Sequence, residues 1–126
     1  MFTHIMLGTA DPAAAKRFYD ATMQALGHQP SAMPEGSPRH FYGGFGSGAL
    51  GVGLPLDGAA ATSANGGTIG LAAANTEAVD AWHAAGLANG GSCGGPPGPR
   101  PNAPGNAYGA YLRDPDGNKL CAFCQP

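Results

Sequence analysis

The segment Arg113–Cys121 constrains the fold of this chain more than any other part of the sequence. It reads Arg-Asp-Pro-Asp-Gly-Asn-Lys-Leu-Cys, so a polar turn lies between two short apolar runs, residues 107–113 and 119–124. Proline and glycine in such a turn, with apolar runs on both sides, predict a β-hairpin. We therefore expect the chain to end in two antiparallel strands.

Composition excludes several classes of function. The chain has 126 residues, enough for one domain, with a net charge of -2 and only 11% charged residues. No basic patch is present, so we expect neither nucleic acid nor a membrane surface as a partner. The longest apolar runs are far shorter than the roughly 20 residues that span a bilayer. The N-terminus has no basic stretch followed by an apolar one, so no secretory leader is expected.

The cysteine, glycine and proline content indicates the redox compartment of the protein and the size of its core. The three cysteines form an odd and sparse set, which fits a reducing cytoplasm better than a disulfide framework. The 22 glycines and 12 prolines leave few aliphatic residues for the core. We expect a modest core that is supplemented by self-association, most simply as a homodimer.

An order of strand, helix and further strands occurs twice along the chain. Helix starts are predicted at Asp11-Pro12 and at Asn75 or Thr76, and helix ends at Gly27 and at Gly90-Gly91. The strands are predicted at residues 2–8, 39–45, 49–54, 68–73, 107–113 and 119–124, and residues 94–105 are predicted to be a long loop.

The recurrence predicts an internal duplication of a unit of about 60 residues. Thr3-His4-Ile5 in the first half matches Gly67-Thr68-Ile69 in the second, and a helix follows each. We expect one domain made of module one (1–56), a polar loop (57–66) and module two (67–126).

Three stretches of the sequence are considered together: the segment from His4 to Asp20, the restart at Thr68 with its helix, and the run from Tyr108 to Lys119. Together they resemble the vicinal oxygen chelate superfamily, which includes glyoxalase I, bleomycin-resistance proteins and extradiol dioxygenases. The resemblance covers nearly the whole chain. It implies an α+β fold of two βαβββ modules, whose curved mixed sheets surround a cavity and carry the helices on their outer face.

The resemblance also implies where metal-dependent members place their ligands, at the first and last strands of each module. Carried onto this chain, those positions are His4, Gly51, Thr68 and Cys121. Glycine has no donor side chain and a neutral hydroxyl is a poor ligand, while divalent ions in such sites prefer imidazole and carboxylate. We therefore expect no metal site of the family type and no resident cofactor.

Period-two alternation gives an independent view of the strands. If His4 faces the cavity, then Leu50, Val52 and Leu54 face the helices, and so do Leu120 and Ala122. The cavity face then carries mainly small residues together with Lys119, Cys121 and Phe123. Two interpretations are open: small residues leave volume for a ligand, or they let a neighbouring sheet or subunit approach closely.

Six residues are candidates for the site. His4 is a candidate ligand contact or acid–base group, and Cys121 is a candidate nucleophile, with a small buried core residue as the alternative. Arg100 and Tyr108 flank the loop rich in proline and glycine, and Arg100 could hold a carboxylate or remain a solvated surface residue. Thr68 and Phe123 complete the set of expected ligand contacts.

Other notable residues are expected to be structural. His83 and Trp82 lie on the apolar stripe of the second helix, and the sequence does not fix the face of His40. Cys121 and Cys124 have CxxC spacing, but on a strand the two thiols point to opposite faces. The resemblance thus implies a glyoxalase-like or bleomycin-resistance-like protein that binds a small organic molecule in the cavity. The alternative is a metal-dependent lyase or dioxygenase that uses His4 and coordination completed by the substrate.

Overall fold

The computed structural model describes all 126 residues as two helices, seven strands and a short 3-10 turn. The helices are α1 (Pro12–Ala25) and α2 (Thr76–Ala88). The strands are β1 (His4–Gly8), β2 (Arg39–Gly44), β3 (Gly48–Gly53), β4 (Ile69–Ala72), β5 (Ser92–Pro99), β6 (Tyr108–Arg113) and β7 (Lys119–Cys124). Neither helix is long and apolar enough to cross a membrane.

Capping side chains fix the helix starts as the sequence predicts. Asp11 accepts a hydrogen bond from the backbone N–H of Ala14 at 3.2 Å, and Asn75 accepts one from Ala78 at 2.9 Å. Each bond satisfies a donor that the first helical turn leaves without a partner. Gly27 and Gly90 follow the helix ends with φ of 93° and 95°, a conformation that favours glycine.

The two sheets repeat one topology. The first has the strand order β1-β3-β2 and the second has the order β4-β7-β6-β5. In both, the first strand pairs in parallel with the last, and the last pairs antiparallel with the strand before it in sequence. The α+β fold class is confirmed, although the first sheet has three strands rather than the four that βαβββ modules imply.

Strand β5 corrects the prediction of a long loop at residues 94–105. Its sequence, Ser-Cys-Gly-Gly-Pro-Pro-Gly-Pro, has no apolar alternation. The strand lies at the edge of the second sheet, and its register against β6 shifts twice. Proline is tolerated at such an edge because one side of the strand makes no ladder hydrogen bonds.

One core lies between the helices and the inner faces of both sheets. Trp82 on α2 is completely buried in it, which fits the structural role predicted for this residue. The 14 buried residues of the core come from both modules: Ala15, Phe18, Tyr19, Met23, Tyr42, Leu50, Val52, Val79, Trp82, Ala110, Leu112, Leu120, Ala122 and Cys124.

The turn between β6 and β7 also ties the second module to the first. Asp116 accepts hydrogen bonds from the hydroxyl of Thr9 and from the backbone N–H of Ala10. The side-chain amide of Asn118 donates to the carbonyl of Gly8 at 3.0 Å. These contacts fix the junction of β1 and α1, and with it the position of the first sheet beside the second.

Candidate functional site

The face of each sheet that points away from the helices, here called the open face, carries the candidate site. Leu50 and Val52 on β3, and Leu120 and Ala122 on β7, belong to the core, so the alternation predicted for these strands is confirmed. Leu54 departs from the pattern, because it lies beyond the end of β3 and is exposed.

Large side chains occupy much of the space that the glycines of the open face leave. A Cβ atom at Gly51 would lie 2.4 Å from Sδ of Met6 and 2.9 Å from Cε1 of Phe41. A Cβ atom at Gly109 would lie 2.5 Å from Cδ1 of Phe123. The glycines therefore let neighbouring side chains lie flat on the sheet, and the space for a ligand is smaller than the glycine content suggests.

His4 lies on the exposed open face of the first sheet. Its Nδ1 is 2.9 Å from the hydroxyl of Thr3, and its ring centroid is 5.2 Å from that of Phe45. The ring is thus oriented by a polar and an aromatic neighbour while solvent reaches it. This placement suits contact with a ligand or proton exchange with one.

Cys121 is buried in the second sheet, where it pairs with Gly70 on β4 and with Tyr111 on β6. Burial raises the pKa of the Cys121 thiol, and the nearby charge of Lys119 offsets this rise only in part. The thiol is therefore protonated at neutral pH. A protonated thiol is a poor nucleophile and a poor metal ligand.

The positions at which the family would hold a divalent ion do not fit one here. They supply one imidazole at His4, one buried thiol at Cys121, one hydroxyl at Thr68 and no side chain at Gly51. No group of three or more histidine, cysteine, aspartate or glutamate side chains in the structure could hold a metal ion. A stable divalent site needs about three or four protein donors of these types, so the residues present do not provide one.

Tyr111 on β6 lies near two positively charged side chains. Cζ of Arg100 lies 5.4 Å from the Tyr111 ring centroid, and Nζ of Lys119 lies 5.2 Å from it. The ring of Phe123 meets Tyr111 edge-on, with centroids 5.7 Å apart. Arg100, Lys119 and Phe123 thus each lie beside the ring of Tyr111.

A pocket of about 360 Å³ opens beside this cluster. Its walls are Arg100, Tyr111, Phe123 and the loop from Pro99 to Ala103. The Arg100 guanidinium donates from Nη2 to the carbonyl of Pro96 and from Nε to the carbonyl of Gly109. These bonds hold the plane of the group in place and leave the N–H groups of Nη1 for a ligand.

Tyr108 and Thr68 lie apart from this pocket. Tyr108 shares the helix side of β6 with the buried residues Ala110 and Leu112, and its hydroxyl donates to Asp80 on α2 at 2.6 Å. The expected grouping of Tyr108 with Phe123 is therefore corrected, because the sheet separates the two side chains. Thr68 is exposed just before β4 and does not line the pocket.

Tyr111 is the residue of this cluster that the sequence reasoning missed. Alternation could have found it, because Tyr108, Ala110 and Leu112 share one face of β6 and leave Tyr111 on the other. Leu112 is aliphatic, which indicates that this face of β6 packs against the helices. Lys119 was expected on the cavity face, but nothing in its local sequence showed that it would reach an aromatic ring.

His40 does not reach the open face. It is buried on the helix side of β2, opposite Val52, and its Nδ1 is 2.7 Å from the hydroxyl of Ser31. Burial lowers the pKa of His40, and the charge of Lys16 lowers it further. The imidazole is therefore neutral at pH 7, as expected of a histidine that serves the packing of the first module.

A second hollow, of about 460 Å³, is lined by residues of both modules. Its lining is largely apolar and includes Ile5, Tyr42, Ile69 and Leu71, but none of the six predicted site residues. We place the candidate site at Tyr111 rather than here, because the Tyr111 pocket contains two of the predicted site residues, Arg100 and Phe123, and a guanidinium held in a fixed orientation that could orient a ligand.

Two curved sheets with helices on one side define a paired-module α+β protein of the glyoxalase type. The profile of the Glyoxalase/Bleomycin resistance protein/Dioxygenase superfamily matches residues 1–122. The chain belongs to this superfamily.

Solved structures agree with this assignment. A glyoxalase/bleomycin resistance protein from Albidiferax ferrireducens T118 is 46% identical, with a TM-score of 0.89 over 100% of this chain and 99% of that one. A family enzyme from Burkholderia phytofirmans PsJN is 20% identical, with a TM-score of 0.72 over 98% of both chains. A lactoylglutathione lyase from Agrobacterium tumefaciens is also 20% identical, with a TM-score of 0.64 over 98% of this chain and 91% of that one. The last two show a shared fold. No curated protein matches this sequence.

Proposed function

We propose that this protein binds a small organic anion, such as an aromatic carboxylate, at the Tyr111 pocket and does so without a metal ion of its own. The observation that carries the proposal is the oriented guanidinium of Arg100 in the pocket wall, beside the rings of Tyr111 and Phe123. Lys119 contacts the Tyr111 ring from outside the pocket lining and adds positive charge nearby. A guanidinium beside an apolar wall favours a ligand with one anionic group and one flat apolar part.

Each part of the pocket has a role in this proposal. Nη1 of Arg100 donates to the carboxylate, and Lys119 adds a second positive charge. Tyr111 and Phe123 contact the apolar body of the ligand. Cys121 pairs with Tyr111 across the two strands and is a small neutral neighbour of the pocket rather than part of its lining. His4 and Thr68 belong to the same open side of the protein and are proposed to contact the more distant part of a larger ligand.

A homodimer is part of the proposal because the open face of the first sheet is apolar and uncovered. Met6 and Phe41 lie together over Gly51 and are 44% and 38% exposed, and Phe45 beside His4 is 65% exposed. A second copy of the chain that packs on Met6 and Phe41 removes these two side chains from water. We also place the protein in the cytoplasm, which fits its three free cysteines.

Titration calorimetry with benzoate and with the matching neutral amide tests the function. We expect benzoate to bind and the amide to bind at least about tenfold more weakly, since a hydrogen bond to a charged group is worth about 1.5–3 kcal/mol and each 1.4 kcal/mol is about a factor of ten in affinity. Arg100→Gln should abolish this preference. Arg113→Gln is the matched control, because Arg113 is an exposed arginine on the same sheet that donates to Gly117 instead.

Equal affinity for the acid and the amide would contradict the proposal, and so would equal losses in the two arginine variants. Adding Mn²⁺, Ni²⁺ or Zn²⁺ should leave the benzoate affinity unchanged. A metal-dependent gain in affinity that disappears in His4→Ala would instead favour the alternative function, a metal-dependent lyase or dioxygenase whose coordination the substrate completes.

A further inference from the structure

A cysteine and a histidine meet on the side of the second sheet opposite to the Tyr111 pocket. Sγ of Cys93 on β5 lies 3.2 Å from Nε2 of His83 on α2. Cys93 pairs with Leu112, which belongs to the core on the helix side, so the thiol faces α2. Because β5 is the outer strand of its sheet, the Cys93 residue is exposed while His83 is only 7% exposed.

The contact has the geometry of a nucleophile beside its base. A thiol becomes a strong nucleophile when an imidazole within hydrogen-bond distance accepts its proton. Burial lowers the pKa of His83, and the charge of Asp80 one turn earlier offsets this only in part. The imidazole is thus neutral at pH 7 and can accept a proton. Asp80 is itself held by the hydroxyl of Tyr108 at 2.6 Å.

The other two cysteines differ from Cys93 in their exposure and in their lack of a histidine partner. Cys121 and Cys124 are buried on β7, and neither makes a hydrogen bond to a histidine. Strand β6 separates β5 from β7, so the backbones of the two strands are roughly 10 Å apart. An intramolecular disulfide needs Cα atoms within about 7 Å, so no second thiol of this chain can reach a modified Cys93 in the folded protein.

We infer that Cys93 and His83 form a thiol–disulfide exchange site that takes up small-molecule disulfides. Nε2 of His83 accepts the proton of the Cys93 thiol, and Sγ attacks one sulfur of the disulfide. The new S–S bond forms as the old one breaks, and the second sulfur leaves as a thiolate that takes up a proton. The products are a mixed disulfide at Cys93 and one small thiol, so the disulfide is the only oxidant required. Since no neighbouring thiol resolves it, the mixed disulfide accumulates.

The chromogenic disulfide DTNB, followed by intact mass and peptide mapping, tests the inference on the folded protein. We expect one fast modification per chain, located at Cys93 and absent from Cys93→Ser. In His83→Gln the second-order rate constant should fall about tenfold or more, as expected from loss of a general base. With oxidised glutathione as the disulfide, we expect the variants to rank in the same order of reaction rate as with DTNB.

The adjacent residue offers a matched control. Ser92→Cys in the Cys93→Ser background moves the thiol by one residue on the same exposed strand, to the face away from α2. Its rate should not change when His83→Gln is added. If His83→Gln does not fold by circular dichroism, His83→Leu takes its place as an apolar residue of similar volume. Equal rates with and without His83 would overturn the inference, and so would faster modification of Cys121 or Cys124.

Discussion

The hydroxyl of Tyr19 donates a hydrogen bond of 2.6 Å to Oδ2 of Asp114, although 95 residues separate the two in the chain. Tyr19 lies on α1 and Asp114 begins the turn between β6 and β7. The same carboxylate accepts from the Asn118 side chain and from the backbone N–H groups of Asp116 and Asn118. Asp114 is only 3% exposed, so the four donors compensate for the loss of water around its charge.

We expect Tyr19→Phe to lower the free energy of unfolding by about 1–3 kcal/mol, because a buried carboxylate loses a donor. Burial raises the pKa of Tyr19 well above its usual value, so the hydroxyl remains a donor throughout the accessible pH range. Urea unfolding followed by fluorescence measures the loss. Tyr108→Phe is the control, because it removes a tyrosine–aspartate hydrogen bond of equal length that is exposed to solvent. The loss of unfolding free energy should be smaller in this variant. Equal losses would contradict the role given to burial.

The carboxylate of Asp20 makes the stability of the first module sensitive to acid. Burial raises the pKa of Asp20, but hydrogen bonds from Lys16, from the backbone of Ser31 and from Tyr42 outweigh it and lower the pKa below 3.8. A carboxylate with a lowered pKa in the folded state stabilises the fold above the unfolded pKa. This stabilisation disappears as the pH falls through the folded value.

The difference in unfolding free energy between the wild type and Asp20→Asn should therefore be constant above about pH 5 and shrink below pH 3.8. Urea unfolding at a series of pH values measures it. Tyr42→Phe removes one of the donors to Asp20, at 2.8 Å, and should leave a smaller dependence of the same sign. A difference that grows on acidification would show that the carboxylate is destabilising.

Local sequence patterns predicted the elements whose structure depends on neighbours along the chain. The caps at Asp11 and Asn75, and the alternation that buries Val52 and Leu120, follow from residues a few positions apart. Strand β5 was not predictable in this way, because pairing with β6 forms it and its own residues do not favour a strand. The contact of Tyr19 with Asp114 likewise has no local signature.

The residues of the candidate site likewise divide into those that local sequence predicts and those whose position depends on contacts between strands. Arg100, Cys121 and Phe123 were predicted from the resemblance, from the loop and from alternation, and all three lie around Tyr111. Tyr108 was placed with them because it flanks the loop, although its face is set by its register with Cys124 on β7. The filling of the space over Gly51 by Met6 and Phe41 depends on three strands at once, so single-strand alternation could not predict it.

Gly86 on α2 lies where the helix comes closest to the second sheet. A Cβ atom there would be 2.3 Å from Cδ1 and 3.1 Å from Cδ2 of the fully buried Leu112. Alanine favours a helix by about 1 kcal/mol over glycine, but overpacking costs about 1–3 kcal/mol. We expect Gly86→Ala to lower stability in thermal unfolding. Gly98→Ala, whose Cβ would meet no atom within 4 Å, should change it by less than about 0.5 kcal/mol. A more stable Gly86→Ala variant would show that Leu112 moves aside freely.

The apolar open face of the first sheet makes the assembly of this protein testable. Phe41 lies on this face with Met6, and a charge in the middle of such a patch opposes its burial against a second copy. We expect the wild type to sediment as a dimer in analytical ultracentrifugation and Phe41→Asp to sediment as a monomer with an unchanged circular dichroism spectrum. Leu87→Asp, at an exposed apolar residue of α2 in the second module, is the matched control and should remain dimeric. A monomeric wild type would contradict the proposed dimer, and dissociation of the Leu87 variant would place the interface on the helices instead.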